Sequence, residues 1–165
     1  MKRLFCCLLI LLLSVTLCSC GSKKSAPEAT ESPLEAYQLL KVPMSAPAEA
    51  EKADYSAQGG TIAQITFVYD GFSFVYRGGK TVDFTSGVYE KALSTKYVEA
   101  LSDNESETIR LSITVTESGN FLIEWTAGDY GFSLYSPDKI LEEQILSMAE
   151  SLALKTWRLE KAETR

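Results

Sequence analysis

Residues with reactive side chains are unevenly spread along this chain. All four cysteines, Cys6, Cys7, Cys18 and Cys20, fall in its first twenty residues, and its 165 residues include no histidine. Thiol chemistry is confined to one end, and the commonest general base, transition-metal ligand and pH switch is missing. Ser-His-Asp and Cys-His nucleophilic arrangements cannot be built, zinc finds no thiolates beyond Cys20, and no cofactor is implied. Carboxylates remain. Asp70, Asp83, Glu90 and Asp129 stand near expected turns, whereas glycoside hydrolysis needs two carboxyls about 5 to 10 Å apart. No spacing pairs these four, and turns select aspartate for their own hydrogen bonds. The expectation is that the protein is not an enzyme. The run Asp103-Asn104-Glu105-Ser106-Glu107 has oxygens for calcium but not the spacing of a calcium loop. Four residues offer a ligand surface: Trp125, Asp129, Tyr130 and Arg77. Trp125, beside Glu124 and before the Gly128-Asp129-Tyr130 turn, is either the floor of a cleft or a core side chain. Arg77 with Asp83 is either an anion-binding pair or a surface ion pair worth under about 1 kcal/mol.

The cysteines have a second reading as an address. Met1-Lys2-Arg3 is positive, and Leu4 to Leu17 is an almost unbroken apolar run. Those fourteen residues would reach roughly 21 Å as a helix, short of a hydrocarbon core of about 30 Å. Length and flanks fit a secretory signal, residues 1–19. Its end, Leu17-Cys18-Ser19-Cys20 followed by Gly21, resembles the bacterial lipobox, although Cys18, itself small, departs from the usual Ala, Ser or Thr at that position. The resemblance implies that Cys20 is lipidated and becomes the new N-terminus. The protein is then expected on the extracytoplasmic face of the cell membrane, held by a fatty-acyl anchor on Cys20, with no internal disulfide. Two acyl chains on one residue meet the two-signal requirement for stable anchoring. Loss of Lys2 and Arg3 with the leader leaves 14 basic against 22 acidic residues, a formal charge of −8. Such an acidic chain has no footprint for nucleic acid.

The elements that must position the candidate residues follow. Residues 20–32 read as a lipidated, disordered tether, small and polar with no apolar period. Residues 33–41 suit a short helix, with Ser32 as N-cap, Pro33 first and Glu35 third, and with Ala36, Leu39 and Leu40 on one face. From Asp54 the period is two. Ala63, Ile65, Phe67 and Tyr69 share a face, Asp70-Gly71 makes a hairpin, and Phe72, Phe74 and Tyr76 return until Arg77-Gly78-Gly79-Lys80 breaks the strand. These aromatics describe either a core or the lining of an apolar cavity. Residues 81–103 read as helix or strand, with Leu93, Tyr97 and Leu101 four apart. Alternation resumes at Ile109, Leu111, Ile113 and Val115, then Phe121, Ile123 and Trp125, then Phe132 and Leu134. Ser136-Pro137 is expected to cap a last helix with the stripe Leu141, Ile145, Met148 and Leu152, and residues 156–165 to form a charged tail.

The run from Asn120 to Leu134 (NFLIEWTAGDYGFSL), with the helix Ile145 to Leu152 behind it, resembles the extracytoplasmic domain of unknown function 4367 of Gram-positive Firmicutes. Tyr76-Arg77-Gly78-Gly79-Lys80, Asp83 and Ser86-Gly87-Val88-Tyr89 are similar to an upstream segment of that family, although Gly78-Gly79 replaces bulkier residues. The resemblance implies a lipoprotein or the outer part of a signalling protein, with no catalytic residues to carry over.

The expected fold is α+β, an antiparallel β-meander of about five to seven strands packed against a C-terminal amphipathic helix, in one domain over residues 33–155. The expected function is a non-catalytic binding or sensing module that engages a protein or envelope ligand. The alternative is a carrier holding a hydrophobic small molecule between sheet and helix, near Phe67, Phe74, Trp125 and Ile145. A carboxylate-dependent enzyme is the least favoured reading.

Overall fold

The computed structural model describes residues 32–101 and 108–163. The leader, Cys20, the tether through residue 31 and the run 103–107 lie outside them. Helix α1 (Pro33–Leu39) opens with the expected capping box: Glu35 N donates to Ser32 Oγ at 3.2 Å, and Ser32 N donates to Glu35 Oε2 at 2.8 Å. That bonding holds the Glu35 carboxyl below its usual range. The helix turns its tyrosine inward and its leucine outward. Tyr37 Oη donates to Met44 O at 3.0 Å, whereas Leu39 is exposed, against expectation.

Seven strands follow: β1 (Glu51–Gln58), β2 (Ile62–Tyr69), β3 (Phe72–Lys80), β4 (Ala92–Leu101), β5 (Thr108–Thr116), β6 (Phe121–Ala127) and β7 (Tyr130–Tyr135). They form one antiparallel sheet of order β1-β2-β3-β7-β6-β5-β4, and helix α2 (Glu142–Glu163) packs on β4, β5 and β6. The expected α+β architecture is therefore present, with seven strands. It consists of two meanders, β1 to β3 and β4 to β7, joined where β7 pairs with β3. The Asp70-Gly71 hairpin has φ of 50° and 80°, the two positive values a tight two-residue turn demands.

Alternation builds the core because directly opposed residues share a face. Ile65, Tyr76, Leu134, Ile123 and Ile113 form one continuous row across five strands, all buried. Beside it Tyr76, Trp125 and Phe132 stack, with ring centroids 5.7 to 6.3 Å apart. α2 closes this face with Ile145, Met148, Ala149, Leu152 and Ala153. Of these, Ile145, Met148 and Leu152 each contribute roughly 1.5 to 3 kcal/mol on burial. The row ends on β4 at Lys96, whose ammonium meets Glu142 at the start of α2 at 2.5 Å.

Because β7 occupies the place beside β3, the chain leaving β3 must cross β7, β6 and β5 to reach the far edge. Residues 81–91 make that crossing on the face away from α2. Phe84 lies on Gly131, where a Cβ would stand 2.9 Å from its ring. Arg77 Nη1 donates to Ser86 O at 2.8 Å, and Lys91 O accepts from Glu117 N at 2.9 Å.

Three expectations fail for identifiable reasons, and one reading left open between helix and strand is decided. β3 does not break at Arg77-Gly78-Gly79-Lys80. Gly78 and Gly79 continue the ladder opposite Phe132 and Gly131, and their bare backbone makes room for Phe132, Met44 and Ile62. Residues 92–101 are strand, not helix: backbone pairing with β5 along the whole segment outweighs the four-residue spacing, and Leu93 and Tyr97 are exposed. α2 begins at Glu142, because Ser136 and Asp138 are engaged elsewhere. Ser136 Oγ donates to Ser73 O at 2.8 Å and Asp138 Oδ2 accepts from Ser73 N at 2.6 Å, pinning the β7–α2 connection to the start of β3. Leu141 is consequently exposed and outside the buried stripe. The helix also continues beyond Lys155 to Glu163, with Thr156 buried.

Candidate functional site

The sheet separates the residues singled out from the sequence. Trp125 is 3% exposed and faces α2, where its indole Nε1 donates to Thr156 Oγ1 at 3.2 Å. It is a core side chain. Tyr130 is half-buried with its ring 6.4 Å from Phe132, and Asp129 is exposed at the β6–β7 turn, where its carbonyl accepts from Thr81 N at 2.8 Å. Arg77 lies on the opposite face. Its Nε donates to Gln64 Oε1 at 2.7 Å and its Nη1 to Ser86 O, and no ion pair joins it to Asp83. The guanidinium fills the space where a Cβ on Gly87 would stand, and Gly87 itself has φ of 68°. Arg77 thus fastens the crossing segment to the sheet.

The carboxylates divide between the two ends of the sheet. Asp129 and Asp83 lie by the β6–β7 turn, and Asp70 is at the β2–β3 turn. Glu90 accepts from Ser118 Oγ at 2.5 Å and from Tyr135 Oη at 3.2 Å, and these bonds, the Ser118 one foremost, hold its carboxyl below the usual range. Among the described residues no group of three or more acidic, cysteine or histidine side chains is arranged to hold a metal.

A groove opens where the sheet is left uncovered. α2 lies over β4 to β6 and α1 packs on β1, so the tip of the β2–β3 hairpin has no lid. There a cavity of about 560 Å³ runs between the hairpin, the first half of α2 and the segment around Pro47 and Glu49. Its floor is aromatic: Tyr69, Phe72 and Phe74, the last stacked on Phe67 with centroids 5.3 Å apart. Met148 and Ile140 extend the apolar surface. The rim carries Glu49, Asp70 and Glu143, and no lysine or arginine lines it. Lys155 Nζ, donating to Ala46 O at 3.2 Å, ties α2 to the Pro47 side.

Aromatic faces and carboxylates both attract cations. The groove is therefore suited to a positively charged group with an apolar flank. The sequence offered its floor, since Tyr69, Phe72 and Phe74 are among the aromatics read as core or cavity lining, but not its other walls, which come from distant segments. One signal was present: Glu143, Ser147 and Ser151 repeat every four residues along α2, a polar stripe with two small residues beside the apolar stripe, and all three line the groove. Of the four residues expected near a carrier cavity only Phe74 lines it, whereas Phe67, Trp125 and Ile145 are buried in the core. Comparison with family models, with curated proteins and with solved structures gives no match to this chain.

Proposed function

We propose that this chain is a membrane-anchored extracytoplasmic lipoprotein, lipidated on Cys20, whose folded part is a non-catalytic binding or sensing module. The lipobox-like run and the resemblance to domain of unknown function 4367 support the address. The observation that carries the binding reading is the groove, with an aromatic floor and three rim carboxylates unopposed by any lining base. Its ligand is a basic peptide segment with apolar neighbours, drawn in by charge and held by burial on Tyr69, Phe72 and Phe74.

The test uses the full chain in nanodiscs of neutral lipid, titrated with a fluorescent Lys-Phe-Lys-Leu peptide and read by anisotropy. Saturable binding is expected, weakened roughly 5-fold by Glu143→Gln, the cost of about 1 kcal/mol for one lost charge contact. Phe72→Ala should weaken it further. Binding that is absent, or indifferent to both changes, rejects the groove. The aromatic floor also favours a second reading, a carrier of uncharged hydrophobic cargo. A neutral apolar dye that binds more tightly than the peptide and ignores Glu143→Gln would establish that reading instead. The address is tested separately: Cys20→Ala should abolish incorporation of a fatty-acid analogue while Cys18→Ala retains it.

A further inference from the structure

A second cavity, of about 390 Å³, lies on the opposite face of the sheet, between the crossing segment and β4. Phe84 forms one wall and Tyr97 the other, with Ser112, Glu124 and Thr126 between them. The wall is built in, because Phe84 rests in the hollow left by Gly131.

Two opposite charges face this space. Ser112 pairs directly with Glu124, and Arg110 is two residues along β5 on the same face. Arg110 and Glu124 are thus diagonal neighbours, about 7 to 8 Å apart at their α-carbons. Within such reach an arginine and a glutamate ordinarily join, yet among the described residues no ion pair joins Arg110 to Glu124, or to Glu99 directly opposite it on β4. Each is drawn to a different wall. The Arg110 guanidinium sits 3.9 Å over the Tyr97 ring on the β4 side. Glu124 lies on the side of the crossing segment, near Ser86. It is half-buried there, with no ion-paired cation among the described residues, and that burial pushes its carboxyl above the usual range.

We infer that this cavity binds a small zwitterion of dipeptide size, its carboxylate on Arg110 and its ammonium on Glu124. An ammonium would supply the countercharge that Glu124 lacks, and a carboxylate would take the bidentate face of the guanidinium. Phe84 and the Thr126 methyl offer contact to one apolar side chain. The cavity is at the small end of the range for ligand sites, which excludes longer peptides from lying wholly within it. This site is separate from the groove, since the sheet lies between them.

The experiment titrates the full chain in neutral nanodiscs with alanyl-phenylalanine, its N-acetyl form and its C-terminal amide, by calorimetry. Alanyl-phenylalanine should bind saturably, with both blocked forms at least 10-fold weaker. Arg110→Gln should weaken the free dipeptide to the level of its amide and remove the preference between those two. Glu124→Gln should do the same for the N-acetyl form. No saturable binding up to about 10 mM, or equal binding of the free and blocked forms, overturns the proposal. Weakening by both variants without loss of these preferences would trace the effect to the fold and overturn it as well.

Discussion

The face under α2 is apolar and closed by side chains, whereas the face under residues 81–91 is polar and only partly covered. Under the helix, the row Ile65, Tyr76, Leu134, Ile123 and Ile113 meets the apolar stripe of α2. On the other side the neighbouring row reads Gln64, Arg77, Ser133, Glu124 and Ser112. The contrast has a physical cause. A helix satisfies its own peptide groups and needs only an apolar surface beneath it. An extended segment laid across a sheet brings unpaired N–H and C=O groups, each of which must find a partner. Arg77 supplies one to the Ser86 carbonyl, and the Glu117 N–H supplies another to the Lys91 carbonyl. A polar row on a strand thus does not mark a solvated face: Ser133 is 1% exposed.

Three changes probe this difference, in decreasing order of expected effect. Trp125→Ala empties the aromatic stack and removes the indole donor to Thr156, which keeps its bond to Ala153 O, and should cost about 3 to 5 kcal/mol. The urea midpoint should fall with little change in slope, and a loss below about 1 kcal/mol would show that the stack is not central. Gly131→Val strikes the other face, where the new side chain meets Phe84. A cost of about 1 to 3 kcal/mol is expected from overpacking, with faster amide exchange confined to residues 81–91. Exchange that rises across the whole sheet would contradict a locally lifted cover.

The third change is in pH. Glu124 is held above its ordinary value of 4.5 by burial, so its protonation favours the fold. Stability should therefore rise as pH falls from neutral through that raised pKa toward 4.5. Glu90 is held below 4.5 by its hydrogen bonds, so its contribution is present above that value and is lost as pH falls through its folded pKa. Urea midpoints at pH 7, 5 and 3.5 separate the two. Glu124→Gln should flatten the upper limb and Glu90→Gln the lower, and unchanged limbs would refute the respective assignments.

Much of the fold could be read in the chain because alternation over β2, β5 and β6 is strict, the Asp70-Gly71 signal is local, and Ser32 and Glu35 cap within one turn. β4 was ambiguous because, as an edge strand, its residues 92 to 97 are all exposed and carry no alternation. The α2 start was misplaced because Ser136-Pro137 has the same local signature whether it caps a helix or pins a turn; Ser73, far away in sequence, decides. The pairing of walls in both cavities was hidden for a related reason. The groove joins residues near 47, 70 and 145, and the second cavity joins the crossing segment to β4, pairings that no local period encodes.

The pairing of β3 with β7 also imposes an order on folding. Val75 meets Tyr135, sixty residues later. As the chain emerges from synthesis, the first meander is complete long before its partner exists. Until β7 arrives, β3 presents an open ladder, and Phe74 and Tyr76 lack the cover that the later half supplies. Closing so long a loop is slow compared with forming either hairpin meander. The stage most exposed to proteolysis or wrong association is therefore the one just before residues 130–135 lock the two halves together.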